Sequence, residues 1–134
     1  MLRTILAVVA GFVAWWALVS VFNIGLHQAW PAYASADTPA MVFDLPMKLA
    51  RLAESSIASV LAALVAWRVA PQSHFAVPAY GVVLLVMFVP VHVGIWSRFP
   101  IWYHLYFLSS LVLLPLLTQW IVGGARSATP AAVG

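Results

Sequence analysis

Val82-Val83-Leu84-Leu85-Val86-Met87-Phe88-Val89 is the stretch that decides the fold. An unbroken apolar run of this kind has no polar face at the helical period or at the strand period. Neither an amphipathic helix nor a half-exposed strand of a water-soluble domain accounts for it. Outward from it, the apolar run covers residues 75–96, and three more occupy residues 4–26, 45–70 and 101–122. Each is long enough that a helix rising about 1.5 Å per residue crosses a hydrocarbon layer about 30 Å thick. In lipid, only helices and closed barrels satisfy every backbone N–H and C=O. Barrel strands alternate apolar and polar residues over about ten positions, and these runs do not alternate. The sequence is therefore read as an all-α membrane protein, a four-transmembrane-helix bundle running up-down-up-down with short loops.

Composition points the same way. Of 134 residues, 65% are hydrophobic and only 7% charged. A soluble domain carries about 25% charged residues, so these side chains could not cover a globule, and the lipid bilayer is the first partner. Six basic and three acidic residues stand singly along the chain. Without a basic cluster there is no nucleic-acid footprint, and scattered cations suit anionic headgroups. The absence of cysteine excludes disulfides, thiol redox chemistry and thiolate metal sites.

Proline and aromatic residues mark the ends of the spans. Pro31 and Pro71 follow the first and second runs. Pro46 opens the second just after Asp44, a candidate N-cap, and Pro100 opens the fourth. Proline fits a first helical turn and cannot continue a helix past its end. Pro90 and Pro115 lie inside runs, where they free the carbonyls of Val86 and Leu111 and predict kinks. Trp30, Tyr33, Trp96, Trp102 and Tyr103 form an aromatic belt at one interface, and Trp67, Tyr80 and Trp120 form one at the other. Residues 123–134 read as a disordered polar tail. Arg3, the first run and Ala34-Ser35-Ala36 outline a secretory signal with its cleavage site. The run is too long for that role, and Asn23, His27 and Gln28 intervene, so it is kept as a span.

Four spans place both termini and the loop near Pro71 on one side, with Arg3, Arg68 and Arg126. Lys48, Arg51 and Arg98 fall on the other, which ties the positive-inside rule. Asp37, Asp44 and Glu54 neutralise that second side. The balance leans toward cytoplasmic termini, with the 27–44 loop outside.

The unusual polar residues gather at one end of the bundle. Ser20, Asn23 and His27 share a face of the first helix by their three- and four-residue spacing. The second helix opens with Lys48, Arg51, Glu54 and Ser55, the third approaches that end with His92, and the fourth leaves it with His104. An ionisable residue inside a membrane is a functional candidate because burying its charge is costly. The candidate ligand or proton site is therefore Asn23, His27, Arg51, Glu54, His92 and His104. Against it stands an intrahelical Arg51–Glu54 pair at i,i+3, with Lys48 snorkelling to headgroups. His27, His92 and His104 with a carboxylate would suit zinc or copper, and two facing histidines could ligate haem, but no local signature such as H-x3-H accompanies them. Small residues recur every fourth position at Ser55, Ser59 and Ala63 and at Ala58, Ala62 and Ala66, and in the first helix Ala7, Gly11 and Ala14 or Trp15 lie on one side. Such rows allow close helix approach within a bundle or between copies. No nucleophile elbow, phosphate-binding loop or zincin helix occurs.

Phe99-Pro100-Ile101-Trp102-Tyr103-His104-Leu105-Tyr106-Phe107-Leu108, with Pro115 and Gly123-Gly124-Ala125-Arg126 downstream, resembles a pattern in small four-span bacterial membrane proteins of unassigned function. Ala10-Gly11-Phe12-Val13-Ala14-Trp15 is similar to their opening. The resemblance covers about a third of the chain. It implies a bacterial inner-membrane location and four helices, and it carries no active-site roles. Four-span multidrug exporters of this size place a carboxylate in the first helix, and this first helix has none. The leading functional expectation is a non-enzymatic accessory or interaction subunit without a cofactor, alone, as a homo-oligomer or in a larger membrane complex. The alternatives are an oligomeric proton-coupled transporter or channel using Glu54, and a metal- or haem-binding subunit.

Overall fold

The computed structural model describes residues 1–38 and 40–127, and the described residues form helices and no strands. Helices α1 (Leu2–Ala29), α3 (Leu45–Val69), α4 (Ala76–Gly94) and α5 (Ile101–Ser127) are long and apolar enough to cross a membrane. A six-residue helix, α2 (Pro31–Ala36), follows α1, and a 3₁₀ turn (Trp96–Arg98) separates α4 from α5. The protein is a multi-pass membrane protein built as a four-helix bundle.

The helix ends follow from local chemistry. Pro31 cannot continue α1 and instead sits at the first position of α2. Asp44 caps α3, its carboxylate accepting from the Met47 N–H at 2.8 Å, with Pro46 in the first turn. Pro90 and Pro115 lie within α4 and α5, which run through them without a break. α5 continues through residues 123–127, and the rest of the expected tail falls outside the described residues. The 27–44 connection, read from sequence as a loop, contains α2. Six residues behind a proline carry too little periodicity to announce a helix.

Successive spans alternate in direction. Trp15 in α1 donates to Ser59 of α3, Thr4 meets Ser73, and Gln119 near the end of α5 donates to the His74 carbonyl just before α4. The packing order differs from the chain order. α1 packs on α3 and α4, α5 packs on the same two, and α3 and α4 touch across the middle.

Small residues make this diagonal contact possible. In α3, Ser55, Ser59 and Ala63 are buried together with Ala58, Ala62 and Ala66. Both small-residue rows are thus consumed inside the bundle, where lipid supplies no hydrophobic drive and close packing replaces it. A Cβ on Gly11 would lie 3.0 Å from both Ala66 and the Tyr80 ring, so α1 meets α3 and α4 there. A Cβ on Gly81 would lie 2.9 Å from the Leu111 carbonyl oxygen, where α4 meets α5. The large apolar residues Val13, Val82, Val86, Leu105 and Leu113 face outward, to lipid.

Gly81→Ala is expected to destabilise the bundle by about 1–3 kcal/mol through overpacking against backbone. Gly94→Ala, whose added carbon meets nothing within 4 Å, is expected to be neutral or slightly stabilising. Unfolding of both variants in detergent micelles checks the contrast.

Candidate functional site

The polar end is organised by the fold-back of α2. This helix carries Tyr33 into the bundle, where it is fully buried against the rings of His27, Trp30 and Phe43. Its hydroxyl accepts from Arg51 Nη1 at 2.9 Å and donates to Asn23 Oδ1 at 3.4 Å. One turn on, Asp37 faces both His27 and Arg51, with Oδ2 2.9 Å from His27 Nε2 and Oδ1 3.7 Å from Arg51 Nη1. The Arg51 guanidinium lies 4.8 Å from the centre of the Phe43 ring, a cation–π contact. Burial pushes the Tyr33 hydroxyl above the usual phenol range, while Arg51 pulls in the opposite direction. The hydroxyl remains a neutral relay between Arg51 and Asn23.

Beneath this cluster lies a cavity of about 200 Å³. Asn23, Asp37, Arg51, Glu54, Ser55 and Tyr103 supply its polar lining, and Trp15, Phe88 and Phe107 supply apolar walls. Arg51 is engaged by Tyr33 and Asp37, and the i,i+3 pair with Glu54 expected from sequence is not made. Lys48 does not reach Glu54 either, since its ammonium donates to the Phe43 carbonyl at 2.7 Å. Glu54 is thus buried, lines the cavity, and has no hydrogen bond or ion pair among the described residues. Two more groups of the lining lack partners, Ser55 Oγ and Arg51 Nε. Buried polar atoms left open in this way mark where a water or a ligand group belongs.

The second cluster joins α4 to α5. His92 and His104 are buried, with their Nδ1 atoms 2.8 Å apart. His104 Nε2 lies 3.2 Å from the Trp96 carbonyl oxygen, which can only accept, so Nε2 carries a hydrogen. One proton then lies between the two Nδ1 atoms, and a second would collide with it. Trp96 stacks on His104, and Phe107 covers His92. Two nitrogens holding an ion at about 2 Å each stand farther apart than this, so in this geometry the pair shares a proton. Phe107 also walls the cavity, which places the pair directly behind it.

The sequence-predicted residues thus divide into groups. Asn23, His27 and Arg51 are joined through Tyr33 and Asp37, Glu54 faces the cavity alone, and His92 pairs with His104. Among the described residues no three His, Asp or Glu side chains converge on a point, so His27 does not complete a metal set with the other two. Sequence reasoning missed Tyr33, Asp37 and Trp96 as members of the site. Tyr33 and Asp37 stand four residues apart behind Pro31, a spacing that puts both on one helix face and could have flagged them. The role of Trp96 is played by its backbone carbonyl, which leaves no trace in the sequence. The chain matches no protein-family model, and neither the curated proteins nor the solved structures contain a significant match to it.

Tyr33→Phe removes the acceptor of Arg51 and the donor to Asn23 while keeping the packed ring. It is expected to cost about 1–3 kcal/mol, measured as a lowered unfolding midpoint in micelles. His92→Phe is expected to cost a similar amount, because it leaves the buried His104 Nδ1 without its partner.

Proposed function

We propose that this chain is a non-enzymatic membrane subunit that holds a small polar or amphipathic molecule in the cavity at the polar end of the bundle. The observation that carries the reading is the unpaired Glu54 on the cavity wall. A purely structural end would close through the nearby Arg51, whereas here Arg51 is committed to Tyr33 and Asp37. The open Ser55 hydroxyl and Arg51 Nε–H add unmet hydrogen-bonding capacity to the same lining. The apolar walls from Trp15, Phe88 and Phe107 suit the less polar part of a ligand.

The reading places the subunit in a bacterial inner membrane, with both termini cytoplasmic and the polar end on the opposite face. It works there as an oligomer or within a larger membrane complex. The net positive charge of the terminal side, against the acid-neutralised polar end, supports this orientation.

Native mass spectrometry of the chain taken from its membranes in mild detergent is expected to show one small molecule retained per chain. Val19→Phe, which fills the cavity from α1, is expected to abolish that species while leaving the helical content intact. Retention unchanged by Val19→Phe would count against the cavity. For orientation, the cysteine-free sequence permits single-cysteine labelling in intact cells. A membrane-impermeant maleimide is expected to label Ser97→Cys and not Gln72→Cys, and the reverse pattern would invert the topology.

A further inference from the structure

Glu54 also lines a second space. On the outer face of α1 and α3 runs a groove of about 610 Å³, almost wholly apolar, that shares this residue with the inner cavity. The groove extends from Ala29 and Ala50 near the polar end to Val21 and Ile57 deeper in the bilayer. Gly25 and Ala53 keep it open at the middle, and a Cβ on Gly25 would meet nothing within 4 Å. Glu54 lies nine residues into α3, roughly 14 Å along a helix long and apolar enough to cross a membrane, at about 1.5 Å per residue.

Small residues alone would describe only a helix-packing surface. The carboxylate changes the chemistry of this one. Glu54 is only 9% exposed, it contributes to the groove wall, and no cation of the chain pairs with it among the described residues. A second copy of the chain seated here would bring apolar surface and leave the carboxylate facing hydrocarbon, a costly arrangement. A positively charged group on an apolar chain answers both halves of the site, since the cation neutralises the carboxylate and the chain lies against Val21, Gly25 and Ile57.

We propose that the α1–α3 groove is a lateral opening from the bilayer to the cavity, and that it admits a cationic amphiphile whose ammonium group is bound by Glu54. The ligand class is an alkylamine or another single-chain lipid with a basic head. Such a molecule partitions into the membrane first and reaches the protein sideways rather than from water. This proposal rests on the cavity reading and specifies both the ligand chemistry and its path.

The test uses the full chain in nanodiscs of zwitterionic lipid, with radiolabelled dodecylammonium as the probe and a neutral dodecyl ether as competitor. One saturable site per chain is expected, displaced by unlabelled dodecylammonium and not by the ether. Glu54→Gln and Gly25→Leu are each expected to weaken binding by about tenfold or more, the scale of one charge-assisted contact. Glu54→Asp, which keeps the charge, is expected to retain most of the affinity, and circular dichroism confirms that each variant is folded. Binding indifferent to Glu54→Gln overturns the proposal. Binding that needs Glu54 but ignores Gly25→Leu removes the lateral path and leaves the cavity reading standing. Gly25→Leu breaking a dimer, seen by light scattering, with no dodecylammonium bound, assigns the groove to a second copy and overturns the proposal. A chain that retains a cavity ligand in native mass spectrometry yet binds no alkylamine removes the ligand class alone. One that does neither removes both readings.

Discussion

A guanidinium held below the membrane surface must be neutralised, and the way this chain neutralises Arg51 shapes the whole polar end. Placing an arginine in the hydrocarbon costs at least about 2.5–3.5 kcal/mol when nothing answers it. The nearest acid in sequence is Glu54, one turn away on the same helix. The fold uses Asp37 instead, delivered from outside the span by α2, with Tyr33 bridging the two helices. Pro31 is what makes the delivery possible, because it ends α1 and starts a helix in a new direction. His27 and Phe43 then complete a shell around Arg51 and Asp37 that no single helix could build. Glu54 is left without an ion-pair contact among the described residues and lines the cavity.

Packing supplies the second constraint. Because lipid is as apolar as leucine, the helices are held by shape rather than by a hydrophobic drive. Alanine and serine on α3 let it touch α1, α4 and α5 at once, with α4 reached across the diagonal. Gly11 and Gly81 mark the two closest approaches. Serine serves twice in this scheme. Ser59 is small enough for the contact and also accepts the Trp15 indole N–H at 3.1 Å, a donor that would otherwise be stranded in a dry interior. The aromatic walls of the cavity follow from the same geometry, since Trp15 and Phe88 meet edge to face where the small rows end.

The four spans were legible because hydropathy over about 20 residues is a local property, and lipid enforces it on every backbone group. The polar end was legible in part for a similar reason. Asn23 and His27 share a helix face by spacing alone, and Asp44 caps the helix that Pro46 opens. What the sequence could not reveal depends on contacts between segments. The i,i+3 rule joins Arg51 to Glu54, and a tertiary partner ten or more residues away overrides it. From sequence His92 and His104 are candidates for a ligand, proton or metal site at one end of the bundle, with nothing to show that they touch. Their shared proton appears only when the 3₁₀ turn at Trp96–Arg98 folds α5 back against α4. The double use of Glu54, by the cavity and by the α1–α3 groove, is likewise a property of the packed bundle.

Arg51 makes its ion-pair contact with Asp37 and not with Glu54. Two double-mutant cycles on unfolding in micelles test this pairing directly, one pairing Arg51→Met with Asp37→Asn and the other pairing Arg51→Met with Glu54→Gln. A coupling of about 0.5–3 kcal/mol is expected in the first cycle and less than about 0.5 kcal/mol in the second. A larger coupling between Arg51 and Glu54 than between Arg51 and Asp37 would contradict it.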